Sequence, residues 1–266
     1  MTTGGARHSA AEAVALEQYK RQAAECAIQL VCSGMVVGLG TGSTAIYATR
    51  RLGQLLRDSL LRDIVGVPTS RATAIVAEEL GIPLLTDDVA RQVDVTIDGA
   101  DEVSQEFHLI KGGGGALLRE KIVAESTRRL VIVVDDSKLS AKLGMRAPVP
   151  VEVVQFGWRR LAEYLQTIGA EVTLRAHPGG APFVTDQGNF ILDCAFGPII
   201  DPGTLAATIR ARAGIVEHGM FIGLTSDLIV AGESDVRHLS ASEAPASSHA
   251  PRPKSCAGLH QDYQPQ

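Results

Sequence analysis

The chain has 266 residues, of which 45% are hydrophobic, so it is long enough to bury one large core or two modest ones. Its formal net charge is −5, from 25 Lys and Arg against 30 Asp and Glu, and this lack of basic excess argues against nucleic acid as a partner. Its four cysteines show neither a CxxC pair nor the spacing of metal ligands, so we expect reduced thiols.

The N-terminal segment shows no apolar stretch behind a basic start. We therefore expect neither a signal peptide nor a membrane anchor, and a cytoplasmic location. Residues 1–11 are expected to be disordered. Apolar residues then recur at helical spacing from Glu12 to Leu30, which predicts an opening amphipathic helix.

Short apolar runs then alternate with helical segments. The first run, Met35 to Leu39, stops at the glycine loop Gly40 to Thr44, and a helix is predicted from Ala45 to Leu56. The alternation continues with a strand at Ile64–Val67, a helix at Ala72–Leu80, and strands at Val93–Ile97 and Leu130–Val134. This order predicts an α/β fold with a doubly wound, mostly parallel, Rossmann-like sheet.

Polar or small residues follow each of these four predicted strands. They are Thr41 and Ser43, then Thr69 and Ser70, then Asp98 and Asp101, then Asp135 to Ser137. In open α/β sheets, ligands bind outside the carboxyl ends of the strands. We therefore expect the four loops to converge on one crevice.

The order of elements changes from about Pro148. A second series of elements is predicted at Val151–Val154, Trp158–Ile168, Glu171–Leu174, a hairpin at Asp186–Asn189, and Leu205–Ala213. This order resembles a split βαβ arrangement, so we expect a smaller, ferredoxin-like α+β domain over residues 148–220.

The chain is expected to return to the first sheet through Phe221 to Val230. The large, Rossmann-like domain would then comprise residues 12–147 and 221–238. After His238 the composition turns to Ser, Ala, Pro and His, which predicts a disordered tail over residues 239–266.

The glycine loop Gly38 to Thr44 differs from two known nucleotide motifs. Ser43 stands where a dinucleotide fingerprint has its third glycine, and the Gly-Lys-Ser/Thr ending of a P-loop is missing. Hydroxyl residues at a predicted helix N-terminus favour an anion such as a single phosphate. An ordinary tight turn between strand and helix is the alternative.

Three carboxylates, Asp98, Asp101 and Glu102, fall within five residues at the end of a predicted strand. The small residues between the two aspartates allow a tight backbone that aims both side chains into the crevice. A solvated acidic loop is one alternative. A metal site is another, with weak support because the segment has no companion His or carbonyl-rich cage elsewhere.

Lys111 is followed by four consecutive glycines. Glycines carry a large conformational-entropy cost, so such a run indicates close approach of the backbone to a ligand. A flexible linker is the alternative, but a helix follows at once.

That helix, Ala116 to Thr127, carries Glu120 near the centre of its apolar face. Burial raises the pKa of a carboxyl group, and a general base works best with a pKa near the working pH. Glu120 is therefore a candidate general base. An internal salt bridge to Lys111 or Lys121 is the alternative.

Five motifs, GLGTGSTA, VPTS, DGADEV, KGGGGALLREK and DDSK, resemble in order and spacing those of the ribose-5-phosphate isomerase A family, over about residues 16 to 235. The resemblance implies that Glu120 transfers the proton and that Asp98, Asp101 and Lys111 assist catalysis. The substrate-binding residues that it implies are Lys20, Thr41, Gly42, Ser43, Thr44, Asp98, Gly99, Ala100, Asp101, Lys111, Gly112, Gly113, Gly114 and Lys138. Arg71 to Thr73 and the tail beyond His238 depart from the family pattern.

The resemblance implies interconversion of ribose 5-phosphate and ribulose 5-phosphate through an enediolate, in the non-oxidative branch of the pentose phosphate pathway. It implies no metal, no organic cofactor, a sugar-phosphate substrate, and a homodimer or homotetramer. Two alternatives are an amino-sugar phosphate deaminase and a non-catalytic sugar-phosphate sensor of transcriptional regulators. The sensor would need a DNA-binding helix pair, for which the chain has no room before Met35.

Overall fold

A six-stranded sheet forms the larger part of the computed structural model, which describes residues 10–85 and 92–241, with side chains from residue 14 onward. In chain order the helices and strands are α1 (Ala10–Ile28), β1 (Val36–Leu39), α2 (Ala45–Arg57), β2 (Val65–Pro68), α3 (Arg71–Glu79), β3 (Val95–Asp98), β4 (Glu102–Val103), β5 (Leu109–Ile110), α4 (Leu117–Glu125), β6 (Leu130–Asp135), β7 (Val149–Val153), α5 (Trp158–Thr167), β8 (Glu171–Leu174), β9 (Phe190–Ala195), α6 (Pro202–Arg210), β10 (Ile215–His218), β11 (Met220–Phe221), β12 (Asp227–Ala231) and β13 (Val236–Ser240). None of the helices described is both long and apolar enough to cross a membrane.

The large sheet has the strand order β13-β12-β6-β3-β1-β2, and all neighbours are parallel except β13. Its central strands are buried on both faces, which explains their continuous apolar runs. In β6, Val131 and Val133 pack with α1, α2 and α3, whereas Ile132 and Val134 pack with Phe221 on the other face. Helices cover both faces, so the predicted doubly wound α/β fold is confirmed.

The edge strand β13 was not predicted. It pairs antiparallel with β12, and Leu239 packs against the core, so the ordered chain extends into the predicted tail. Most residues of this edge strand are exposed, so its sequence is largely polar and lacks the apolar run of a buried strand. Likewise α1 begins at Ala10, inside the predicted disordered N-terminus. The remainder of those two predicted segments, residues 1–9 and 242–266, lies outside the described residues.

The smaller unit is an antiparallel sheet of order β10-β7-β9-β8, with α5 and α6 packed on one face. Its chain order βαββαβ and this strand order are those of a ferredoxin-like α+β fold, which confirms the predicted class. The bounds of the two domains stay predictions. In β9, Leu192 and Cys194 face the helices, so Ile191 and Asp193 face the glycine run.

A three-stranded sheet of order β11-β5-β4 joins the two units. Its strands have two residues each, too short for a periodic sequence pattern, and the predicted return segment is divided between β11 and β12. Next to this sheet, the Lys111 amide donates to Gly219 O at 2.8 Å, and the Gly219 amide donates to Pro150 O at 2.7 Å. Gly219, between β10 and β11, is therefore hydrogen-bonded both to Lys111 and to the first strand of the smaller unit.

Candidate active site

The loops after β1, β2 and β3 meet at the carboxyl edge of the large sheet. Thr41 Oγ1 lies 2.8 Å from both Thr69 Oγ1 and Ser70 Oγ. The Thr41 amide donates to Asp98 Oδ1 at 3.2 Å. These contacts tie the glycine loop to both neighbouring loops and form one wall of a crevice.

The glycine loop presents backbone rather than side chains at the start of α2. Thr44 is the N-cap of α2, but its side chain makes no capping hydrogen bond. Gly42 and Ser43 are exposed beside it. Free amides at a helix N-terminus attract anions, so this geometry suits a phosphate.

A buried ionic cluster of Asp98, Lys111 and Glu120 lies at the same edge. Lys111 Nζ is 3.1 Å from Asp98 Oδ2 and 3.3 Å from Glu120 Oε1, and it donates to Gly99 O. None of the three residues is more than 4% exposed. The Lys111 ammonium group therefore forms ion pairs with two carboxylates in a buried position.

This arrangement shifts the protonation of all three groups. Burial raises the pKa of Glu120 to about 8, although the Lys111 ammonium opposes the shift. Burial likewise raises the pKa of Asp98. For Lys111, burial opposes the charged form, but the Asp98 and Glu120 carboxylates outweigh it and raise the pKa, so the ammonium persists.

The second carboxylate oxygen of Glu120, Oε2, is buried and has no hydrogen-bond partner among the described residues. Buried polar atoms in proteins are nearly always paired, so an unpaired one marks a position where a ligand atom is expected. A carboxylate that has one oxygen paired with a cation, the other oxygen unpaired, and a raised pKa has the properties of a proton-transferring base.

The glycine run is an ordered wall of the crevice. The Gly113 amide donates to Asp101 Oδ2 at 2.7 Å, and a Cβ at Gly113 would lie 2.7 Å from Asp101 Oδ1. Gly115 has a φ of +82°, and a Cβ there would lie 2.4 Å from the Phe183 ring. A side chain at Gly115 would be strained by the positive φ, and one at Gly113 would displace Asp101, so close packing accounts for glycine at these two positions.

Two predicted binding residues lie apart from the ionic cluster. Lys20 pairs with Glu17 one turn away at 2.8 Å, and Glu17 accepts a hydrogen bond from Tyr47 of α2. Lys138 is half-buried and ends the 3₁₀-helix Asp136–Lys138 that follows β6. Lys20 stays a prediction for the phosphate of the substrate, and Lys138 stays a prediction for substrate binding.

The remaining charged candidates are engaged elsewhere. Glu102 accepts hydrogen bonds from the four backbone amides of residues 144–147, so it anchors a loop. Lys121 pairs with Glu217 at 2.8 Å, whereas Lys111 contacts Glu120. Among the described side chains, no three His, Cys, Asp or Glu residues are grouped so as to hold a metal ion.

Two side chains that contact the glycine run were not identified from the sequence. Arg175 lies next to β8, and Phe183 lies in the connection from β8 to β9, both in the smaller unit. Arg175 lies more than 60 positions along the chain from its glycine contacts, so no local pattern could reveal them.

Comparison with known proteins identifies close relatives. The sequence model of the family ribose 5-phosphate isomerase A (phosphoriboisomerase A) matches residues 65–235. The chain is 58% identical to ribose-5-phosphate isomerase A of Chloroflexus aurantiacus, over 85% of this chain and 95% of that protein. It is 51% identical to the Roseiflexus castenholzii protein of the same name, over 85% and 97%.

Solved structures of ribose-5-phosphate isomerases share the fold of this chain. One is a D-ribose-5-phosphate isomerase in complex with phospho-erythronic acid, with a TM-score of 0.83 and 38% identity, covering 85% of this chain and 99% of that one. Ribose 5-phosphate isomerase from Plasmodium falciparum matches with a TM-score of 0.81 and 39% identity, over 84% and 98%.

Proposed function

Because the chain belongs to the ribose 5-phosphate isomerase A family and is therefore an aldose–ketose isomerase, we propose that Glu120 is its general base, acting through an enediolate. The reaction interconverts ribose 5-phosphate and ribulose 5-phosphate. The observation that carries the proposal is that Glu120 Oε2 is buried without a hydrogen-bond partner among the described residues, while Oε1 lies next to Lys111. A sensor domain would have no use for a buried base of this kind.

The proposed reaction moves two protons. Glu120 takes the C2 proton of the open-chain aldose, and the electron pair moves through C2–C1 onto the carbonyl oxygen, forming the enediolate. Glu120 then returns the proton to C1, while a second proton passes from the C2 oxygen to the C1 oxygen. The Lys111 ammonium stabilises the developing negative charge on these oxygens, and the site needs no reorganisation when the charge appears.

The other residues hold the two ends of the sugar. Gly42, Ser43 and Thr44 bind the phosphate with backbone amides and hydroxyls, which supplies binding energy for orientation. Asp101 binds a sugar hydroxyl through Oδ1, since its Oδ2 holds Gly113. The solved relative that contains phospho-erythronic acid supports a sugar-phosphate substrate, because that acid combines a phosphate with a planar carboxylate.

Turnover of ribose 5-phosphate should survive exhaustive dialysis against EDTA, because Lys111 occupies the place where a Lewis acid would act. A coupled assay for ribulose 5-phosphate measures this. Loss of activity that a divalent ion restores would contradict the metal-free mechanism. Release of ammonia from an amino-sugar phosphate in a parallel assay would instead favour the deaminase.

The activity should rise with pH through an apparent pKa of about 8, because only ionised Glu120 accepts a proton. At pH values below this pKa the ionised fraction of Glu120 decreases, so kcat/KM should fall about tenfold for each unit by which the pH is lowered. Initial rates between about pH 6 and pH 9.5 measure this. A flat profile over that interval contradicts the assignment.

A further inference from the structure

The guanidinium group of Arg175 reaches from the smaller unit to the backbone of the glycine run. Its Nη1 lies 2.6 Å from Gly112 O and 3.1 Å from Gly113 O. The opposite edge of the guanidinium binds the Asp193 carboxylate, with Nε 2.9 Å from Oδ2. The Arg175 side chain is only 15% exposed, and its contact with Gly112 O is part-buried, whereas the contact with Gly113 O lies at the surface. One planar, multiply bonded cation thus holds two consecutive carbonyl groups.

Holding these carbonyls fixes the direction of the next two amides. In a trans peptide the C=O and the following N–H point in opposite directions. With Gly112 O held by Arg175, the Gly113 N–H points away from the guanidinium and meets Asp101 Oδ2 at 2.7 Å. With Gly113 O held in the same way, the Gly114 N–H also points away from Arg175.

The Gly114 amide has no acceptor among the described residues, and Gly114 is exposed. It is thus a directed, unused donor on the wall of the crevice that carries Asp101. An unused donor with a fixed direction is what stabilises a developing oxyanion most effectively, because nothing has to rotate when the charge appears.

We propose that Arg175 is a positioning residue, which aims the Gly114 amide at an enediolate oxygen by holding the carbonyls of Gly112 and Gly113. This inference rests on the proposed function. Arg175 itself does not touch the substrate. The smaller unit thereby contributes to the chemistry through the backbone that it orients.

Arg175→Met should lower kcat about 10- to 100-fold with little change in KM, because misaligned donors cost transition-state stabilisation selectively. The inhibition constant of phospho-erythronic acid should rise by a similar factor, since its planar carboxylate resembles the two enediolate oxygens in shape and charge. Inhibition by inorganic phosphate, which reports the phosphate end of the site at the loop Gly42–Thr44, should stay unchanged. Asp193→Asn keeps the carbonyl contacts and should retain most of kcat.

Arg129→Met is the matched control. Arg129 forms a bidentate pair with Asp227 at 2.7 and 2.9 Å, at the opposite, amino edge of the large sheet. This variant should melt at a lower temperature while keeping kcat within about twofold. If Arg175→Met does not fold, Arg175→Lys serves, since a lysine keeps the charge but cannot bind a carboxylate and two carbonyls together.

Wild-type kcat and wild-type inhibition by phospho-erythronic acid in a folded Arg175 variant would overturn the inference. Equal weakening of both inhibitors would also overturn it, since that result indicates general disorder of the site. Glu120→Gln, measured in the same series, reports on the proposed function alone. Turnover retained in that variant would count against the base and not against Arg175.

Discussion

Glu120→Gln should lower kcat by about 10²- to 10⁴-fold while the dissociation constant of the substrate changes much less. Glutamine keeps the shape of the side chain and can still accept the hydrogen bond from Lys111, but it cannot take a proton. The loop Gly42–Thr44 is untouched, so the phosphate should bind as before. Turnover, ligand titration and thermal melting on one sample measure the three quantities.

The stability of this variant distinguishes a base from a structural salt bridge. The folded pKa of Glu120 is about 8, above the ordinary value of 4.5, so burial of this group costs the wild-type protein stability as pH rises from 4.5 to 8. Glutamine does not ionise, so the Gln variant does not lose stability in this way. We expect it to melt at or above the wild-type temperature at pH 8. A destabilised variant with near-normal kcat would instead show a structural role, and Asp98 or Asp101 would be the next candidates.

Lys111→Met should lose both activity and stability. Without the ammonium, two buried carboxylates face each other uncompensated, which costs about 3–5 kcal/mol, and the enediolate loses its cation, which costs about 10²- to 10³-fold in kcat. Chemical denaturation and initial rates measure the two losses. Lys142→Met, at an exposed lysine, is the control and should change neither.

The stability loss of Lys111→Met should depend on pH in a defined direction. Removing the cation raises the folded pKa values of Asp98 and Glu120 further above their ordinary values of 3.8 and 4.5. The deficit should therefore be small below about pH 3, where both groups are largely protonated in the folded and unfolded states. It should grow as pH rises through the folded pKa values. A deficit independent of pH would mean that Lys111 acts through packing alone.

Sequence reasoning predicted the elements that carry strong local patterns. The buried strands β1, β3 and β6 show continuous apolar runs because both of their faces are covered. Glu120 was identified because a carboxylate at the centre of an apolar helix face conflicts with burial. Both signals can be read within a dozen residues of chain.

Features that arise only from tertiary contacts were missed. The strands β4, β5 and β11 have two residues each and form because distant segments pair with them. Arg175 looks like any surface arginine in sequence, and its contacts with Gly112 and Gly113 exist only after two separately patterned units pack together. The sequence leaves Lys111 and Lys121 open as salt-bridge partners of Glu120, because the sharing of one ammonium between Glu120 and Asp98 depends on the register of two loops.

The position of β12 has a consequence for the biosynthesis of the protein. In the sheet β12 lies directly beside β6, but along the chain it follows the whole of the ferredoxin-like unit. Until the ribosome has released Asp227 to Ala231, one edge of β6 has no partner, although all six of its residues are buried in the finished fold. Unpaired apolar strand edges promote association between chains. During the interval between the synthesis of β6 and that of β12, the nascent chain therefore carries an unpaired apolar strand edge that favours aggregation.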